Sequence, residues 1–243
     1  MNGRRKARLI RSSLLLVGAL LVSLGLVGCG GKGDASSPDS DVLVISSVTP
    51  SPVATPELTA FSYPIAGACL PSGDQLMPGA PRSYRQGIHE GVDFYDSDNC
   101  TAIAADTEVL AAKDGEVVRA DYDYEELTQA ELDEIDARIA AQGKCDEEAL
   151  DRFRGRQVWI DHGGGVITRY AHLSRVADGL SVGMSVKRGE VIGYVGNSGT
   201  PESLVDPDAE MHLHFEIRVG DGYLGQGLAP EEVRALYEKA FGP

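Results

Sequence analysis

Between residues 108 and 217 the chain is written in short apolar, β-branched runs, each closed off by glycine or a polar turn. The runs are Glu108-Val109-Leu110-Ala111-Ala112, Gly115-Glu116-Val117-Val118, Gln157-Val158-Trp159-Ile160, Val166-Ile167-Thr168-Arg169-Tyr170, Val191-Ile192-Gly193-Tyr194-Val195 and Leu213-Phe215-Ile217. Segments this short cannot build helices of ordinary length, and their residue types favour the pleated surface of a sheet. Many short strands with glycine turns give a mainly β fold with an antiparallel core, extending over residues 61–228. Two helical pieces interrupt it. Thr128 with Glu131 makes a capping-box pattern, and Leu132, Ile135 and Ile139 follow at helical spacing before Gly143. A second short turn over residues 146–153 returns the chain. Because Val117-Val118 and Val158-Ile160 read as neighbouring strands, residues 123–155 form an acidic helical insertion in a β connection. Residues 229–243 close the chain with a helix from about Pro230 to Phe241, with proline at its start, Glu231 and Glu232 in its first turn and Lys239 near its end.

The 243 residues fit one principal domain with appendages. Arg4, Arg5, Lys6, Arg8 and Arg11 open the chain, and an apolar run from Leu14 to Val27 follows. That run is the length of a signal-peptide core and short of the roughly 20 residues of a spanning helix. It ends in Leu26-Val27-Gly28-Cys29, which resembles the lipobox of bacterial lipoproteins. The resemblance implies cleavage after residue 28, acylation of Cys29 and export to the outer face of the membrane or the periplasm. An uncleaved anchor helix is the other reading, and it exports the remainder equally. Residues 29–60, rich in Gly, Ser, Pro, Asp and Thr, read as a flexible tether.

The net charge is −15, and the leader takes with it five of the 22 basic residues and none of the 37 acidic ones. Such a surface excludes nucleic acid, whose affinity comes largely from Lys and Arg neutralising phosphates. It also leaves no basic patch for anionic head groups, so the membrane contact is expected through lipid. Cys69, Cys100 and Cys145 remain for an oxidising compartment. The expected bridge joins Cys69 to Cys100 and encloses His89 and Asp93; free buried thiols are the alternative. Cys145 is expected free or linked to a partner.

Five histidines carry the chemical signal. In Met211-His212-Leu213-His214-Phe215-Glu216-Ile217-Arg218 the alternation sends Leu213, Phe215 and Ile217 to the core. It sends His212, His214, Glu216 and Arg218 to the other face. Two imidazoles about 7 Å apart on one face can converge on a metal, although a solvated polar face is the commoner outcome for such a pattern. In His89-Glu90-Gly91-Val92-Asp93, Gly91 argues against a helix and Val92-Asp93-Phe94 starts a strand. A loop there can fold His89 and Asp93 onto one ion. Zinc takes His nitrogen and Asp oxygen, and its catalytic sites use three protein ligands. His89, Asp93 and either His212 or His214 make that set. Tyr170-Ala171-His172-Leu173-Ser174 adds an imidazole suited to proton transfer. His162, in Asp161-His162-Gly163-Gly164-Gly165, reads as a hairpin turn. Glu216 either orients a histidine or stands as a solvated rim carboxylate.

Together these blocks resemble the lysostaphin/LytM-type zinc metallopeptidases. They are His89-x-x-x-Asp93, Tyr170-Ala171-His172-Leu173-Ser174, Gly193-Tyr194-Val195-Gly196-Asn197-Ser198-Gly199 and His212-x-His214. The stretch Val182-Gly183-Met184-Ser185-Val186-Lys187-Arg188-Gly189-Glu190 likewise resembles the hairpins of barrel-sandwich hybrids. The resemblance implies one Zn²⁺ per chain held by His89, Asp93 and His214, with His172 and His212 assisting catalysis. It also implies an endopeptidase acting on peptidoglycan peptides, either cross-links or stem peptides, with a regulatory protein partner as a further possibility. The alternatives are a non-catalytic LytM-like lipoprotein that binds the wall and activates a separate amidase, or a plain wall-binding lipoprotein. The insertion is expected to border the substrate groove; the alternative is a solvated decoration on the far side.

Overall fold

The computed structural model describes residues 58–242. The leader, Cys29 and the tether up to residue 57 lie outside the described residues. The chain divides after Thr49 into two units, and all described residues belong to the second.

In chain order the strands are β1 (Pro81–Arg82), β2 (Gly87–Ile88), β3 (Val92–Tyr95), β4 (Glu108–Leu110), β5 (Gly115–Ala120) and β6 (Val158–Asp161). β7 (Val166–Ala171), β8 (Leu173–Val176), β9 (Ser185–Val186), β10 (Val191–Val195), β11 (His212–Val219) and β12 (Gly222–Tyr223) follow. The largest sheet runs β12-β11-β7-β6-β5-β9, with β3 also paired to β11; a second sheet runs β4-β10-β8. Every pairing is antiparallel, so the fold is mainly β, as the glycine-punctuated runs require. Leu213, Phe215 and Ile217 of β11 enter one core with Phe94, Ile160, Tyr170 and Ile192, all fully buried. Full burial of such side chains stabilises by about 1.5–3 kcal/mol each relative to exposure, before conformational entropy is counted.

The insertion joins β5 to β6, strands that pair directly with Val117 opposite Ile160. It holds two helices, α1 (Gln129–Gln142) and α2 (Glu147–Arg154). Thr128 and Glu131 cap α1 reciprocally, Gly143 ends it in the left-handed conformation, and Asp146 caps α2. Residues 146–153, expected as a turn, are thus a helix that begins one residue later and includes Arg154. Leu127, Ile135, Ile139, Ala149 and Phe153 give the insertion a small core of its own. Helix α3 (Pro230–Ala240) buries Val233, Tyr237 and Ala240 against the main core.

Cys69 and Cys100 are joined by a disulfide, and Cys145 is free and half-buried. The bridge spans 31 positions and encloses β3 with its upstream loop. In the chain-entropy picture a loop of this length stabilises by about 3–4 kcal/mol. Replacing both cysteines by serine is expected to lower the unfolding free energy by about that amount and to steepen the denaturant slope, because the unbridged unfolded chain is more expanded. Matched urea titrations of oxidised wild type and the double variant measure it.

Candidate metal centre and catalytic groove

Strand register assembles the site. β3 lies against β11 with Asp93 opposite His214 and Tyr95 opposite His212. On its other edge β11 meets β7 with His214 opposite Ala171, one residue before His172. Three segments distant in sequence therefore deliver His89, Asp93, His172, His212 and His214 to one place. Asp93 sits inside a strand, and His89 reaches it from the loop before.

The three closest ligand atoms form a triangle. His89 Nε2 lies 3.0 Å from His214 Nδ1 and 2.9 Å from Asp93 Oδ1, and His214 Nδ1 lies 2.8 Å from the same oxygen. Each is fixed from behind. His89 donates through Nδ1 to the Met77 carbonyl at 3.1 Å, and His214 donates through Nε2 to Glu216 Oε1 at 3.0 Å. Arg82 Nη2 donates to the other oxygen of Asp93 at 3.0 Å. The second nitrogen of each imidazole is thereby left as a lone pair, facing a carboxylate oxygen. Three acceptors this close need a cation among them. Two imidazole nitrogens and one carboxylate oxygen are a donor set that zinc takes, and the triangle is small enough for bonds of about 2.0–2.2 Å. Among the described residues this is the one cluster of three that can hold a metal.

The protonation of these groups follows the same arrangement. Burial pushes the His89 imidazole down to about 4, against the pull of Asp93. Burial also opposes ionisation of Asp93, but His89 and His214 beside it hold the carboxyl well below the usual range. His214 moves upward because its hydrogen bonds to Asp93 and Glu216 outweigh burial, a proton standing where a metal's charge would.

His172 and His212 flank the triangle, their rings 4.6 Å apart between centroids. His172 donates through Nδ1 to the Ser198 carbonyl at 2.9 Å, and His212 through Nδ1 to the Glu210 carbonyl at 2.6 Å. Both therefore turn an unprotonated Nε2 to the groove. Burial lowers both pKa values, that of His172 strongly and with help from His212 and His214. Tyr95 stacks on His212 at 4.2 Å. His172 itself has φ 60°, a left-handed conformation that a non-glycine residue adopts at some cost. The Gly196-Asn197-Ser198-Gly199 block supports it. Ser198 Oγ accepts from Arg156 N–H and donates to the Leu173 carbonyl, each at 2.9 Å, while its own carbonyl takes the His172 proton.

These groups line a groove of about 620 Å³, walled by Arg82, Tyr84 and Arg85 on one side and by Leu150, Phe153 and Arg154 on another. The insertion therefore borders the groove; it is not a far-side decoration. Glu216 is 0% exposed, which overturns its reading as a solvated rim carboxylate. His162 is apart from the site, bonded to the Asp114 carbonyl and Thr168 Oγ1.

Residues 87–226, which contain the whole constellation, match the sequence pattern of Peptidase family M23. The chain belongs to this family. It is 38% identical over 96 residues to the DD-carboxypeptidase/endopeptidase Mpg of Neisseria meningitidis, covering 40% of this chain and 19% of that protein. It is 34% identical over 80 residues to the peptidoglycan DD-endopeptidase ShyC of Vibrio cholerae, covering 33% and 16%. The matched stretches thus span less than a fifth of either relative. Among solved structures, a zinc-containing peptidase from Vibrio cholerae aligns with a TM-score of 0.41 and 21% identity, over 68% of this chain and 38% of that one.

Sequence reasoning did not find Arg82, Arg154 or Tyr95, none of which stands in a pattern of its own. In this M23 chain Gly91 has a reason that spacing alone does not reveal. A Cβ there would lie 2.5 Å from the Phe215 carbonyl oxygen and 2.8 Å from His214 Cε1. Gly91→Ala is expected to push the loop off β11 and cost about 1–3 kcal/mol of stability. It should also weaken metal retention, measured by metal content after gel filtration alongside a thermal melt.

Proposed function

We propose that this M23 peptidase is a zinc-dependent endopeptidase that hydrolyses peptide bonds in peptidoglycan. One observation carries the reading. His89 Nε2, Asp93 Oδ1 and His214 Nδ1 meet within 3.0 Å, and two further imidazoles present bare Nε2 atoms to the same groove. His89, Asp93 and His214 would hold the ion. Zinc in such a set supplies Lewis acidity toward a carbonyl oxygen and lowers the pKa of a water toward about 7.

The chain's own residues do the rest. Held neutral by burial, His172 and His212 can each accept a proton at Nε2. One takes the proton of the attacking water, and the imidazolium so formed hydrogen-bonds the developing oxyanion or returns that proton to the leaving amine. Their Nδ1 bonds to backbone carbonyls keep both rings in the tautomer this requires. No serine or cysteine nucleophile is needed. Relatives bearing the names of peptidoglycan endopeptidases support the substrate class. The Leu26-Val27-Gly28-Cys29 sequence supports export with a lipid on Cys29, which would hold the enzyme at the membrane beside the wall. No helix among the described residues is long and apolar enough to cross a membrane. A regulatory protein partner is compatible with this reading.

Purified protein incubated with isolated peptidoglycan should release peptides whose masses name the bond. His214→Ala should lose zinc and activity together. His172→Ala should keep zinc and lose turnover by about 10²–10⁴-fold, the usual worth of a positioned acid or base. Zinc retention without any peptide release by wild type would replace the endopeptidase reading with that of a wall-binding protein that activates a separate amidase. Chelation followed by zinc addition should abolish and restore release.

A further inference from the structure

The helical insertion ends on Arg154, and this residue touches both halves of the site. It is 3% exposed, yet it is a full guanidinium in contact with a carboxylate that is wholly buried. Arg154 Nε donates to Glu216 Oε1 at 2.6 Å, the same oxygen that accepts the His214 Nε2 proton. Two other arginines approach Glu216 on its opposite oxygen, Arg218 at 3.2 Å and Arg169 at 3.5 Å. Arg154 alone therefore fixes the oxygen on which the His214 ring hangs. Its Nη2 also donates to Glu90, the neighbour of His89, at 2.8 Å. Its backbone carbonyl accepts the His172 N–H at 2.9 Å, holding that residue in its left-handed conformation.

We propose that Arg154 is a positioning residue for the metal centre, through which the insertion sets the orientation of His214 and the placement of His172. The inference rests on the zinc reading above. Partners of this kind behind a metal ligand fix its ring and raise its basicity, and losing one weakens metal binding by about 10- to 100-fold. Arg154 differs from an ordinary support in its origin. It arrives on α2, packed on a small core separate from that of the sheets. The insertion is pinned to β5 independently, by Arg119 donating to Asp151 at 2.6 Å. A displacement of α2 would carry the guanidinium off Glu216 and leave a buried carboxylate free to draw His214 out of line.

The test measures zinc affinity by competition with a chelating dye, on the full chain in detergent, with thermal melts and peptide release recorded beside it. Arg154→Gln should bind zinc about 10- to 100-fold more weakly than wild type. Arg154→Lys, which keeps the buried charge and guards against simple misfolding, should recover part of that loss. Arg119→Gln, which loosens α2 but leaves the Arg154–Glu216 pair in place, should lower the melting temperature and cost less zinc affinity than Arg154→Gln. In a Glu216→Gln background the Arg154→Gln effect on zinc should largely vanish, because the two act in series. Wild-type zinc affinity in folded Arg154→Gln, or an equal loss with and without Glu216, would overturn the proposal. Should wild type bind no zinc at all, the metal reading itself falls.

Discussion

The antiparallel seam between β3 and β11 carries the candidate metal centre. Its register places Asp93 against His214 while Phe94 and Leu213 turn into the core. Side chains alternate along a strand with period two, so a slip of one residue would exchange these sets. Three buried apolar residues on β11 thus secure the face on which His212, His214 and Glu216 stand. The disulfide and the close approach at Gly91 act on the same seam, one tethering the chain around β3 and the other letting His89 lie over β11.

Behind the seam the site is held by buried charge. Asp93 is matched by Arg82, and Glu216 is matched by Arg154 and Arg218. Burial alone would raise the pKa of Glu216, yet these cations and His214 keep the carboxyl well below its usual range. Such pairs contribute little net stability, because desolvation offsets their attraction. What they supply is direction. An ionised carboxylate with both oxygens occupied presents one fixed acceptor to His214, and so one fixed lone pair to the triangle with His89 and Asp93. The strongly acidic chain therefore keeps several of its arginines where orientation depends on them.

Much of this was legible before the fold. The His89-x-x-x-Asp93 spacing and the His212-x-His214 alternation are local patterns, and strand periodicity alone puts both histidines on one face. The capping residues of α1 were equally plain, since Thr128 and Glu131 lie three apart. The choice between His212 and His214 was not local. It depends on which ring lies across from Asp93, a pairing separated by 121 positions. The burial of Glu216 depends on Arg154, 62 positions away at the end of an acidic insertion expected to border the groove but not to reach behind the histidines. A charged residue shows its partner in sequence only when both lie on one element, and none of the arginines behind the site shares an element with Asp93. Of these arginines Arg218 alone shares a strand with Glu216.

Three of the four histidines at the centre have their proton placed by main chain: the carbonyls of Met77, Ser198 and Glu210 receive Nδ1 of His89, His172 and His212. A carbonyl is present whatever side chain the residue bears. The tautomers on which the chemistry depends are therefore a property of the backbone trace. The hydrogen bond itself asks nothing of residues 77, 198 and 210 beyond the course of their loops, which at 198 rests on the Ser198 hydroxyl bridging Arg156 and Leu173. His214 is the exception, because its proton rests on a side chain and can be lost by one substitution. The site is accordingly rugged toward sequence change at three imidazoles and fragile at the fourth.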